Sequence, residues 1–196
     1  KLKGILYKPG DFDPSRKYPM VVYFYERNAE ALHRHPVPSP SRSTINRAFY
    51  ASNGYLVFVP DITYRDGFPG QSAYDASGSG GYALAATHPW VDLSKVGLQG
   101  QSWGGYQTAW LITRTGLFAA AMAGAPVSNM TSAYGGIRWE SGMSRMAQYE
   151  QSQSRIGATL WEKPMHYLEN SPLFAAPNIT TPLLIMHNDN DGAVPW

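Results

Sequence analysis

Apolar residues fall in short unbroken runs separated by polar, Pro- and Gly-rich stretches. Residues 20–25 (MVVYFY) and 55–60 (YLVFVP) are β-branched and aromatic and are bounded by Pro or Gly, so they predict buried strands. Residues 95–99 (KVGLQ) give a third strand, weakened by Gly97, and 182–186 (PLLIM) a fifth. The fourth, 118–122, is Ala-rich and equally compatible with helix. Residues 4–8 suggest an additional edge strand. Continuous apolarity, in place of alternation, is the mark of a parallel sheet covered on both faces. Between these runs lie helical patterns at 43–52, 71–88, 102–113 and 161–168, the second diluted by Gly78, Gly80 and Gly81. Residues 26–42 form a polar loop containing prolines. Alternating strand and helix gives the class α/β, and no internal repeat interrupts it.

Composition narrows the partners. The 196 residues suffice for one domain with a sizeable core, and 43% hydrophobic against 15% charged is the balance of a packed globular chain. A net charge of +2 without any Lys/Arg cluster argues against nucleic acid or an anionic membrane as the main partner. No run reaches the length of a membrane span. The chain has no cysteine, which removes disulfides, thiolate metal sites and a Cys nucleophile. No H-x-x-x-H or H-E-x-x-H spacing suggests a metal, and no cofactor is expected.

The segment 97–110, GLQGQSWGGYQTAW, concentrates the chemistry. Gly100, Gln101, Ser102, Trp103 and Gly104 spell G-x-S-x-G between a predicted strand and a predicted helix. A sharp turn at that junction forces the Ser backbone into an unfavourable conformation and lifts its Oγ above the sheet. The following helix N-terminus supplies free N–H groups and positive potential for a developing oxyanion. A serine hydroxyl needs a base, and in this architecture the acid follows a later strand. HNDND after 182–186 offers Asp189 and Asp191.

GQSWGGY around Ser102, FAAAMAGAPVSNM after it and LLIMHNDNDGAVPW near the end resemble the α/β-hydrolase catalytic domain of the prolyl oligopeptidase family of serine peptidases. Within that family the chain looks most like bacterial dipeptidyl-peptidase and acylaminoacyl-peptidase-like members. The resemblance runs from about Leu2 to Trp196. It implies hydrolysis of oligopeptide bonds through an acyl-enzyme, with Ser102 as nucleophile and Asp191, ahead of Asp189, as the acid. It implies an oxyanion hole made by the Tyr25 hydroxyl and the Trp103 backbone N–H. It also implies an apolar substrate pocket at Trp103, Val127, Met130, Tyr134 and Val194, and places Arg65 near the mouth of the site. After Tyr25 the family often carries Gly-Gly-Pro, whereas this chain has Glu26, Arg27 and Asn28, so a differently shaped loop is expected there.

The family's catalytic His comes later than the acid, and this chain ends five residues after Asp191. Its own histidines, at 33, 35, 88, 166 and 187, all precede the acid. The expectation is therefore a partial catalytic domain over 1–196, nearly inactive alone. The His, the last strand, the final helix and the family's N-terminal β-propeller are expected elsewhere in the protein. The partner is a peptide substrate, oligomerisation is open, and so is the compartment, although bacterial relatives of this type are often exported. An esterase-like hydrolase or a non-catalytic binding module on the same fold are the competing readings.

Overall fold

The computed structural model of the chain describes residues 3–35, 37, 39–41 and 43–196. Pro36, Pro38 and Arg42 of the expected polar loop lie outside the described residues, as do Lys1 and Leu2. In chain order the elements are β1 (Gly4–Tyr7), β2 (Tyr18–Tyr23), a 3-10 turn (Ala29–Ala31), α1 (Arg47–Ser52), β3 (Leu56–Pro60), α2 (Pro69–Thr87) and β4 (Val91–Gln101). These are followed by α3 (Trp103–Ile112), β5 (Ala120–Gly124), α4 (Met130–Tyr134), α5 (Met146–Glu150), α6 (Pro164–Glu169), a 3-10 stretch (Pro172–Asn178) and β6 (Leu183–Met186).

The apolar runs form one six-stranded sheet in the order β1-β3-β2-β4-β5-β6. Every pairing is parallel except that of β3 with β1, the edge strand read from residues 4–8, which is antiparallel. The Ala-rich fourth run is a strand because its alanines fit between neighbours, Ala121 opposite Leu98 and Leu183. Side chains alternate between two faces. One face carries Met20, Val22, Leu56, Phe58, Val96 and Leu98 into the main core, under α2 and α3. The other buries Ile5, Tyr23, Val57 and Val59 beneath Ile45 and Tyr50, beside α1. The result is an α/β-hydrolase-type architecture with helices on both faces.

Local chemistry moves several helix boundaries. α1 begins at Arg47 because Asn46, with extended backbone, accepts the Phe49 N–H at 3.0 Å through its side chain. α2 and α6 each start on a proline, whose missing N–H costs nothing at the first helical position. β4 starts at Val91, earlier than its apolar run, because an exposed excursion at 92–95 is inserted between Val91 opposite Tyr18 and Val96 opposite Met20. No helix among the described residues is long and apolar enough to cross a membrane.

β6 is an edge strand among the described residues, with Leu184, Ile185 and Met186 64%, 57% and 53% exposed. An exposed apolar edge is a template for pairing with another chain. Expressed as these 196 residues alone, the chain is expected to self-associate in light scattering, and Leu184→Lys with Ile185→Lys is expected to return it towards monomer; an unchanged mass would show that the edge is not responsible.

Candidate active site

β4 ends at Gln101, in register with Gly124 of β5, which is in turn in register with Met186 of β6. The segments leaving these strands therefore emerge side by side at one edge of the sheet. Ser102 is the corner between β4 and α3, at φ 57° and ψ −115°. That left-handed region costs a non-glycine residue about 1–3 kcal/mol. The strain is held by ordinary bonds on both sides: the Ser102 N–H donates to Gly124 O at 2.8 Å, and its carbonyl accepts the Tyr106 N–H at 2.9 Å.

The glycines around Ser102 are required by close approach of backbone. A Cβ on Gly100 would lie 2.3 Å from Gly104 O, one on Gly104 2.5 Å from Phe24 O, and one on Gly105 2.3 Å from Gly124 O. Carbonyl oxygens held in a sheet or helix cannot give way. The Ser102 side chain makes no cap bond to α3, so its hydroxyl is not spent on the helix. The first N–H groups of the helix, Trp103 among them, have no intrahelical acceptor. They present positive potential at the corner.

Asp191 sits in the turn after β6, two strands and so roughly 10 Å across the sheet from the β4 corner. Its Oδ1 accepts the N–H groups of Ala193 at 2.9 Å and Val194 at 2.8 Å. Among the described residues Oδ2 takes no hydrogen bond, which leaves it to a further donor. Asp189 is exposed, whereas Asp191 is half-buried. His187 Nε2 lies 2.7 Å from Val194 O, so that nitrogen carries the proton and closes the loop that shapes Asp191. His88 bonds Leu84 O through Nδ1 and His166 packs on Phe68, while His33 and His35 are exposed in the loop after β2.

Tyr25 follows β2, the strand beside β4, and its ring carbon Cδ2 lies 3.8 Å from where a Gly104 Cβ would stand. The phenol is therefore against the first turn of α3. Its oxygen accepts a hydrogen bond from Gln153 Nε2 at 2.8 Å. Past it, the Glu26, Arg27, Asn28 loop is fastened to β3: Asp61 Oδ1 accepts the N–H groups of Asn28 and Ala29 at 2.6 and 2.8 Å, and Glu26 O accepts the Ile62 N–H at 3.0 Å.

The pocket residues share one buried cluster, not one open cavity. Val127 and Val194 line a cavity of about 410 Å³ together with Asn129, Ile185 and His187. Met130 and Tyr134 are fully packed, the latter donating its hydroxyl to Glu150 Oε1 at 2.5 Å. The Trp103 indole turns inwards, stacked on Tyr106 at 4.5 Å between centroids. Arg65 is exposed over the Phe68 ring and lines a separate cavity with Tyr74 and Trp110.

The sequence profile of the prolyl oligopeptidase family matches residues 41–196. The chain belongs to the prolyl oligopeptidase family. Among its relatives, human dipeptidyl peptidase 8 is 34% identical over 65% of this chain and 15% of its own length. Dipeptidyl-peptidase 5 of Porphyromonas gingivalis is 27% identical over 93% of this chain and 27% of its own. The solved acylaminoacyl peptidase of Pyrococcus horikoshii superposes on all of this chain with a TM-score of 0.73 at 22% identity, over 31% of that protein, and shows the same fold. The chain thus spans between 15% and 31% of the length of these relatives.

Within this family member, residues that carry no motif support the corner. Gln107 is fully buried in α3, where its Nε2 donates to Tyr25 O at 2.8 Å and to Trp103 O at 3.1 Å. The Tyr64 hydroxyl accepts from Trp103 Nε1 at 3.0 Å and lies 3.1 Å from both Tyr25 O and Gln107 Oε1. Burial drives the Tyr64 phenol far above its ordinary range, so it stays protonated. The signal for Gln107 was a lone amide in an otherwise apolar helix. Tyr64 had none, since it sits in a loop far from Ser102 in sequence.

Helix propensity alone would make Gly105→Ala stabilising by about 1 kcal/mol. Contact with Gly124 O reverses the sign, and a loss of about 3 kcal/mol is expected in urea unfolding, at the upper end of overpacking costs. A neutral or stabilising Ala at 105 would show that this corner tolerates a side chain.

Proposed function

We propose that this chain is the catalytic part of a serine peptidase acting on oligopeptides. The observation that carries the reading is the strained Ser102 at the head of α3, at φ 57°. Ser102 Oγ attacks the scissile carbonyl carbon while its proton passes to a histidine. The carbonyl oxygen becomes an oxyanion, stabilised by the Trp103 N–H and the Tyr25 hydroxyl. The amine leaves with that proton, an acyl-Ser102 ester remains, and water attacks the ester to release the acid.

Asp191 orients the histidine through its free Oδ2, with Oδ1 pinned by two backbone N–H groups. Since the histidines of this chain are engaged or placed elsewhere, the reading assigns the base to a residue outside these 196. A propeller domain ahead of the catalytic part is proposed on the same resemblance. The relatives named as dipeptidyl and acylaminoacyl peptidases support peptides or acyl-peptides as substrates, with the apolar side chain entering the cavity that Val127 and Val194 line.

In the full-length protein, a fluorophosphonate probe is expected to label Ser102, and dipeptidyl p-nitroanilides are expected to be hydrolysed faster than p-nitrophenyl esters of simple acids. Ser102→Ala is expected to lower kcat by about 10⁴-fold or more. Turnover that survives Ser102→Ala would end the reading, and a preference for simple esters would redirect it to an esterase.

A further inference from the structure

Four side chains lie in file, ending at the Tyr25 phenol. Arg138 Nη2 is 3.3 Å from Gln148 Oε1, Gln148 Nε2 is 2.9 Å from Gln153 Oε1, and Gln153 Nε2 is 2.8 Å from Tyr25 Oη. All four are half-buried. The direction of the file is fixed by its far end. A guanidinium has donors only. The Gln148 atom facing it must be the amide oxygen, which turns the Gln148 nitrogen to Gln153. The Gln153 oxygen must then accept, which turns its nitrogen to Tyr25. The phenol oxygen is left no role but acceptor, and its proton points elsewhere. Among the described residues that proton has no acceptor.

The segment bearing Gln153 is clamped to make this possible. Ser154 N–H and Ile156 N–H donate back to Gln148 O and Tyr149 O at 3.1 and 2.9 Å. Arg155, at φ 52°, is one of three non-glycine residues in the left-handed region among those described. Its guanidinium is 2.9 Å from Glu26 Oε1, donates to Gln153 O at 2.5 Å and lies 4.4 Å above the Tyr64 ring. Glu26 is the residue next to Tyr25. The two ends of the device, phenol and amide, are thus joined by an ion pair as well as by their own hydrogen bond.

Building on the function proposed above, we infer that Gln153 is a positioning residue that holds the Tyr25 hydroxyl with its proton directed at the oxyanion, and that Gln148 and Arg138 set the polarity of that bond. Hydrogen bonds in series, all donating one way from a cation, polarise one another. Each one draws electron density from the phenol oxygen and makes its O–H a better donor. Gln153→Glu inverts the last bond, because a carboxylate accepts the phenol proton and takes it away from the oxyanion. Gln153→Leu removes the bond and leaves the hydroxyl unaimed.

The test is kinetic in the full-length protein, with a dipeptidyl p-nitroanilide as substrate. Removing one oxyanion donor lowers kcat by about 10²-fold or more, and this is expected for Tyr25→Phe and equally for Gln153→Glu, with KM little changed. Gln153→Leu is expected to lose about 10-fold. The double variant Tyr25→Phe/Gln153→Glu is expected to be no slower than Tyr25→Phe alone, since both remove the same donor. A multiplicative loss in the double variant, or full kcat in Gln153→Glu, would overturn the assignment. A second readout does not depend on turnover: the ¹³Cζ resonance of a labelled Tyr25 is expected to move in Gln153→Glu and Arg138→Met but not in Gln151→Glu, which stands outside the file. An unmoved resonance in folded Gln153→Glu would overturn it equally. Failure of the peptidase reading shows separately, as indifference to Ser102→Ala.

Discussion

Backbone oxygen against absent side chain is the contact on which the site depends. The carbonyls of Phe24, Gly104 and Gly124 stand 2.3–2.5 Å from positions where Gly104, Gly100 and Gly105 would carry a Cβ. Three chain segments, from β2, β4 and β5, can meet at that separation only if all three residues are glycine. The meeting forces the chain to turn within one residue. The residue left at the turn is Ser102, and the strain at its φ of 57° is the consequence of packing around it.

Once the corner is fixed, its surroundings become a question of hydrogen-bond direction. Gln107 and Tyr64 fasten the Tyr25 carbonyl to the first turns of α3, so the oxyanion candidates move as one body with Ser102. Glu26 and Arg155 fasten the far loop to the same place. The Glu-Arg-Asn sequence after Tyr25, which departs from the family's small residues, therefore has a structural counterpart in the loop at 151–157. The acid side is simpler. One turn after β6, closed by His187 on Val194 O, holds one carboxylate oxygen and leaves the other.

The strands were legible to within a few residues because a buried parallel strand has to be apolar throughout, as LVFVP is. G-x-S-x-G was legible because its glycines answer a steric demand that no other residue meets. Helix ends were less so: the reading began the first helix at Ser43, but Asn46 forms the cap. α4 and α5, of five residues each, were not seen, since one turn of helix is too short to show a period. The polar run SRMAQYEQSQSR carries no pattern that distinguishes Gln148 and Gln153 from solvated glutamines. Their arrangement arises only when the loop folds back on α5. The pocket positions illustrate the reverse: the resemblance selects Trp103, Met130 and Tyr134, yet the Trp103 ring is stacked on Tyr106, the Met130 side chain is fully buried and the Tyr134 hydroxyl is bonded to Glu150.

All ten residues of α3 are buried, so the helix behind the strained serine has no solvent-facing stripe. A helix without a wet face has no partial opening available to it: its amide protons from Tyr106 to Ile112 can reach solvent only when the sheet itself comes apart. Slow exchange along this segment would therefore read out global stability, and the geometry of the corner at its head would persist up to the melting transition. The segments at 126–157 and 187–196, wet on one side, are free to open by themselves, while the helix behind the serine stays fixed.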